Sequence, residues 1–319
     1  MKNSRLIEFD FCRSICVLWI VAFWHLQYYL APEFQLEGKI WEICRVLTNG
    51  VLATFTFLSG FFLKKYTFSN INDVIDFYKK RLIRFYPLYA ISTVLMVILC
   101  GGGLNKLIAS LFGYALFTNS SLQTLWYFNM LIIFYAITPL LPRFIQITRN
   151  KSVKIFLLQL MGVVIFLFLF YLFGDDRLWV YFPYYLLGLN CKYEYITRLS
   201  KNWIMGLVLL MIFVLFLFIE QTKGIEYMII LLFSFLIVSL STKINIPTKF
   251  NGIIEFISLG SMCAYLFHRQ FYALVLIVQE YITGFQTMNL FVATMAVVML
   301  LCISYYIQLI YNKVINCLK

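Results

Sequence analysis

The stretch from Asn289 to Tyr311, NLFVATMAVVMLLCISYYIQLIY, contains no charged residue. A helix rises about 1.5 Å per residue, so such a run is long enough to cross roughly 30 Å of hydrocarbon. The rest of the chain has the same character. Of 319 residues 62% are hydrophobic, 13% are charged and 19% are aromatic. A soluble domain is about half apolar and about a quarter charged, so this composition excludes a water-soluble core with a solvated surface. The expected fold class is all-α, a polytopic integral membrane protein.

Between charged breaks, ten apolar runs are expected to span: Phe11 to Leu30, Leu47 to Leu63, Tyr86 to Cys100, Leu125 to Leu141, Ile155 to Phe173, Trp179 to Asn190, Trp203 to Ile219, Tyr227 to Ser241, Ser258 to Val278, and Asn289 to Tyr311. The sixth is short, and Leu107 to Phe117 reads as a half-span or an interfacial helix. With both termini cytoplasmic, 20 of the 26 basic and 6 of the 14 acidic residues fall inside, a net +14, which leaves 6 basic and 8 acidic outside, a net −2. This is the asymmetry of the positive-inside rule. The overall +12 is therefore mostly topology, and a nucleic-acid partner is not expected. No soluble domain is expected at either end, and residues 1–319 are taken as one transmembrane domain. The eight cysteines form no C-x-x-C pattern, so neither a disulfide framework nor a metal site is expected.

Ionisable side chains within apolar runs are costly and mark candidate functional positions. Both histidines, His25 and His268, lie inside runs, and Arg13 and Arg269 lie in or near them. His25 follows Arg13 by twelve residues, about 18 Å along a straight helix, and His268 lies roughly 15 Å beyond Ser258, so the two rings are expected at one depth. A neutral imidazole there suits a general base toward a hydroxyl, or else it hydrogen-bonds a neighbour and orders packing. Arg81 and Arg84, three residues apart in a basic cytoplasmic segment, either clamp a phosphate or simply serve topology and lipid contact. Ser59 and Gly60 favour close helix approach, or let a backbone near a ligand.

Several motifs occur in one order: Arg13 and His25, Phe57-Leu58-Ser59-Gly60-Phe61, Lys80-Arg81-Leu82-Ile83-Arg84-Phe85-Tyr86-Pro87, Leu125-Trp126-Tyr127, Tyr184-Tyr185-Leu186-Leu187-Gly188, and Ala264-Tyr265-Leu266-Phe267-His268. The ordered set resembles the acyltransferase-3 family of membrane-bound acyltransferases. The resemblance implies transfer of an acyl group, usually acetyl, from cytoplasmic acyl-CoA to a hydroxyl of a glycan or lipid-linked sugar. It also implies His25 as catalytic base or acyl relay, and Arg13, Arg81 and Arg84 as the acyl-CoA-binding set. Two departures stand out. Eleven residues separate Arg13 from His25 where the family commonly has ten, and Asn129 and its neighbours supply no carboxylate where many members carry a Glu.

Together these readings predict a cavity open to the cytoplasm and lined by His25, Ser59, Gly60, Trp126, Tyr127 and His268. Acetyl-CoA is expected as a donor substrate, with no permanently bound cofactor. Expected partners are the glycan or lipid-linked acceptor, membrane lipids and, optionally, further copies of the chain. The expected location is the bacterial cytoplasmic membrane, and the expected role is O-acetylation of capsule, exopolysaccharide or O-antigen. A transporter or flippase for a glycan or lipid is the competing reading. Such proteins usually show internal repeats, which this sequence lacks, and buried carboxylates for ion coupling are not apparent. A non-catalytic scaffold or receptor is the third.

Overall fold

The computed structural model describes residues 6–141, 153–173, 175–201, 206, 210 and 223–317. Among them there are eleven α-helices and no strand, only an isolated bridge between Leu30 and Met288. The helices are α1 (Ile7–Leu18), α2 (Gly38–Leu63), α3 (Ile71–Cys100), α4 (Gly103–Leu111), α5 (Trp126–Ile137), α6 (Val153–Phe173), α7 (Asp176–Asn190), α8 (Tyr193–Lys201), α9 (Lys223–Lys243), α10 (Asn251–Thr283) and α11 (Leu290–Cys317). Five stretches, Gly38–Leu63, Ile71–Cys100, Glu226–Lys243, Thr248–Thr283 and Leu290–Cys317, are long and apolar enough to cross a membrane. Nine of the ten expected runs coincide with described helix. The run Trp203 to Ile219 lies outside the described residues apart from Gly206 and Leu210.

The two helix starts that lie furthest outside the expected runs do so for physical reasons. The third run was expected from Tyr86, yet α3 begins at Ile71, because the Asn70 side chain accepts from the Asp73 backbone at 3.0 Å while the Asp73 carboxylate accepts from Asn70 N–H at 3.2 Å. This reciprocal cap satisfies backbone donors that the first turn leaves open. The second run was expected from Leu47, yet α2 begins at Gly38 and carries Arg45. That guanidinium donates to both carboxylate oxygens of Glu226 at 2.8 and 3.2 Å, and Asn49 adds a bond to the same carboxylate at 3.0 Å. The segment Leu107 to Phe117 is helical only to Leu111 and then turns at Gly113, whose φ is +77°.

The chain divides into two compact units, residues 1–55 with 193–319, and residues 56–192, with α2 contributing to both. In the first unit α10 packs along α11 and α1 packs on α10. Gly260 of α10 permits the first contact, since an added Cβ would lie 3.0 Å from the Tyr305 backbone nitrogen. Gly50 of α2 lies against the Phe233 ring of α9, where a Cβ would come within 2.4 Å.

In the second unit the C-terminal part of α2 crosses α7 at a reciprocal pair of glycines. A Cβ on Gly60 would stand 2.3 Å from the Tyr185 carbonyl oxygen, and one on Gly188 would stand 2.1 Å from the Phe57 carbonyl oxygen. Backbone cannot yield as a side chain can, so the crossing depends on both glycines. Gly60→Ala or Gly188→Ala is therefore expected to lower the thermal unfolding temperature in detergent by several degrees. Gly252→Ala, where nothing lies within 4 Å, should leave it unchanged or raise it.

Candidate functional site

In the first unit, α1 and α10 are joined by a polar seam at the start of α1. The buried Asp10 carboxylate accepts from the Ser258 hydroxyl at 2.6 Å, and the Arg13 guanidinium lies 3.6 Å from the same carboxylate and 3.4 Å from Ser258 Oγ. Ser14 adds a hydroxyl bond to the Ile254 carbonyl at 3.1 Å. Arg13 is thus a paired cation, and Asp10 is an acid buried among helices. In the sequence Asp10 falls just before the first apolar run, which starts at Phe11, and is given no role there. Its position three residues before Arg13, on one helical face, was the available signal.

The straight helix expected from Arg13 to His25 is interrupted. After Leu18 the backbone widens to a π-helix over Trp19–Trp24, closed by His25 N–H donating to Ile20 O at 2.9 Å, and then tightens to a 3-10 turn over Leu26–Tyr29. Turns of this kind concentrate at functional positions. The segment is held from α10 by the Tyr272 hydroxyl, which donates to the Val21 carbonyl at 3.1 Å. It is held from the loop before α11 by Met288 N–H to Tyr29 O at 2.8 Å and Ala31 N–H to Met288 O at 3.2 Å.

These constraints bring the two histidines together. His25 Nδ1 lies 2.8 Å from His268 Nε2, and His268 Nδ1 lies 2.7 Å from the Tyr265 carbonyl oxygen. The rings are 13° from parallel with centroids 4.8 Å apart. That separation well exceeds the nitrogen–nitrogen distance, so they meet edge to edge in a shared plane. With both rings neutral, the hydrogens are then assigned by elimination. The Tyr265 carbonyl only accepts, so His268 Nδ1 carries its hydrogen. His268 Nε2 is consequently an acceptor, and His25 Nδ1 donates to it. His25 Nε2 is left as the unprotonated nitrogen, the form a general base requires. The neighbouring Arg269 places its guanidinium 5.5 Å over the Tyr28 ring.

In the second unit Arg81 and Arg84 lie near the start of α3. Arg81 donates to the Tyr66 hydroxyl at 2.9 Å and lies 5.1 Å over that ring and 5.9 Å over Phe77, while Arg84 is exposed. The aromatic packing fixes the Arg81 guanidinium plane, and Tyr66 was not singled out from the sequence. Trp126 is half-buried beneath the Arg177 guanidinium, 4.5 Å from its ring centroid, with Tyr181 tilted against it at 5.8 Å. Tyr127 is buried with its hydroxyl 3.3 Å from Thr56 Oγ1, and Ser59 is half-buried. Gly60 sits at the α2–α7 crossing described above, the packing use that the sequence also allowed. Of the residues expected to line a cavity, His25 and His268 belong to the first unit and Ser59, Gly60, Trp126 and Tyr127 to the second.

Replacing His268 tests the hydrogen-bond relay. His268→Phe leaves the His25 Nδ1–H without an acceptor and should destabilise the fold by about 1 to 3 kcal/mol, read as a lower unfolding temperature. His268→Gln presents a carbonyl oxygen near the Nε2 position and should recover most of the loss.

A family model described as an acyltransferase domain (Acyl_transf_3) matches residues 6–309. No curated protein and no solved structure matches the chain.

Proposed function

Because the chain belongs to the acyltransferase-3 family, we propose that it carries an acetyl group from acetyl-CoA to a hydroxyl of a cell-surface glycan or its lipid-linked precursor, as a multi-pass enzyme of the bacterial cytoplasmic membrane. The observation that carries the mechanism is the His25–His268 pair, which leaves His25 Nε2 as an open acceptor.

In the proposed step, His25 Nε2 removes the hydroxyl proton as the acceptor oxygen attacks the thioester carbonyl. The carbon–sulfur bond then breaks, and the proton passes from His25 to the departing CoA thiolate. Both atoms and charge balance without a cofactor. His268 acts as a positioning residue: it accepts from Nδ1, holds the ring plane, and supports the positive charge that His25 carries during transfer. Hydrogen bonding of this kind to the far nitrogen is how a base is kept in its useful tautomer.

Arg81 and the exposed Arg84 supply guanidinium groups suited to phosphate oxygens, and Tyr66 holds Arg81 ready for them. Arg13, already paired with Asp10, serves the donor only by sharing its remaining donors. Trp126 offers an aromatic surface for the acceptor.

The test is transfer of labelled acetyl from acetyl-CoA to glycan by purified protein. His25→Ala should reduce the rate by about 10²-fold or more while acetyl-CoA still binds. Arg81→Ala and Arg84→Ala should each weaken that binding by about tenfold, equivalent to about 1.4 kcal/mol. Full transfer by His25→Ala would remove the histidine from the chemistry. Wild-type protein that moves a glycan across a membrane without consuming acetyl-CoA would replace the enzyme with a transporter.

A further inference from the structure

Beyond the histidine pair, the same two stretches of chain meet a second time. Tyr28 follows His25 by three residues through the 3-10 turn over Leu26–Tyr29. Side chains three apart in such a turn eclipse, at about 2.0 Å of rise per residue, so the Tyr28 ring is carried about 6 Å beyond His25 on the same side of the chain. On α10 the residue after His268 is Arg269, whose guanidinium lies 5.5 Å over that ring. The Arg269 charge acts on both imidazoles. All four residues belong to the first unit.

This second contact is braced on both sides. Trp24 meets Tyr28 edge to face, with centroids 6.1 Å apart, and Trp41 tilts against Trp24 at 5.9 Å. The Tyr29 hydroxyl donates to the Arg269 carbonyl at 3.4 Å, and the Tyr29 ring packs on Tyr272 at 5.3 Å. Arg269 is half-buried and Tyr28 is 46% exposed, so the pair opens to the surface of the unit.

A cation within an apolar run is costly and marks a functional position. Attraction between charge and ring holds the guanidinium on Tyr28, and a guanidinium carries its N–H donors in a planar fork that fits the oxygens of a carboxylate or a phosphate. A hydroxyl and an anionic group on one hexose are four or five bonds apart, roughly 5 to 6 Å when extended at about 1.2 Å per bond. That matches the separation of Tyr28 from His25. We propose that Arg269, seated on Tyr28, selects the acceptor: it takes the carboxylate or phosphate oxygens of an anionic sugar whose hydroxyl is presented to His25. This rests on the reading above that His25 is the base toward an acceptor hydroxyl. It narrows the acceptor from glycans in general to those with a negative charge on the sugar that receives the acetyl group.

The experiment follows transfer of labelled acetyl from acetyl-CoA to cell glycan by purified full-length protein, with methyl glucuronide, glucose 1-phosphate or the neutral methyl glucoside as competitor. In the wild type an anionic probe should block transfer at a concentration about tenfold lower than the neutral one. Arg269→Gln should bring that ratio close to one, and Arg269→Lys should keep part of it. Tyr28→Ala, at an exposed position, should also shrink the ratio and serves where Arg269→Gln does not fold. Stronger block by methyl glucuronide assigns the charge to an acidic sugar, and stronger block by glucose 1-phosphate assigns it to the phosphate of a lipid-linked sugar. Equal block by all three probes, block by none, or an undiminished ratio in Arg269→Gln overturns the subsite and leaves acetyl transfer standing. Wild-type protein that transfers no label removes the acetyl-transfer reading together with the subsite.

Discussion

A polar group inside this molecule has no water to fall back on, and that constraint organises nearly every side chain with chemical character. Unsatisfied backbone or side-chain dipoles cost several kcal/mol in hydrocarbon surroundings. The hydroxyls of Thr54, Thr93, Thr138 and Ser241 therefore fold back onto the carbonyls four residues earlier. Arg45 takes Glu226, Arg13 takes Asp10, and His25 takes His268. Each pairing joins residues far apart in sequence or fixes a face of its helix, so satisfying polarity and specifying topology are one event.

The apolar architecture was legible from the sequence because hydropathy over long runs is a strong local signal. Helix extensions were less so. The starts of α2 and α3 lie in charged sequence, where a cap at Asn70 and an ion pair between Arg45 and Glu226 make polar helix affordable, and the second depends on a partner 181 positions away. The histidines were singled out for their rarity, and depth counting put them level. Their hydrogen bond could not be read, since it depends on how α1 and α10 turn about their own axes. Gly60 shows the opposite limit. Its sequence context permits either a ligand approach or a helix crossing, and only the backbone of Tyr185 opposite it distinguishes them. Asp10 and Tyr66 were missed because an acid near a terminus and one tyrosine among 22 carry no local mark of their partners.

The seam around the histidines is closed at both ends. Asp10 and Ser258 join the two strands of chain at one end, and Tyr29 and Met288 join them at the other. The imidazole contact lies between these ties, so its geometry is imposed by the frame and does not have to be generated by the imidazoles themselves. This is the arrangement expected of preorganised chemistry, in which the orienting bonds are made during folding and not during the reaction.

The π-helical segment has a consequence for the register of the chain beyond it. A hydrogen-bonded loop from residue i to i+5 encloses one more residue than the i to i+4 loop of an α-helix. A single inserted residue in a regular helix would rotate everything beyond it by about 100°, carrying His25 off the face that meets His268. Wide turns over Trp19–Trp24 absorb such a residue locally and leave the downstream register intact. The wide turns thus set the angular position of His25 about the helix axis relative to Arg13.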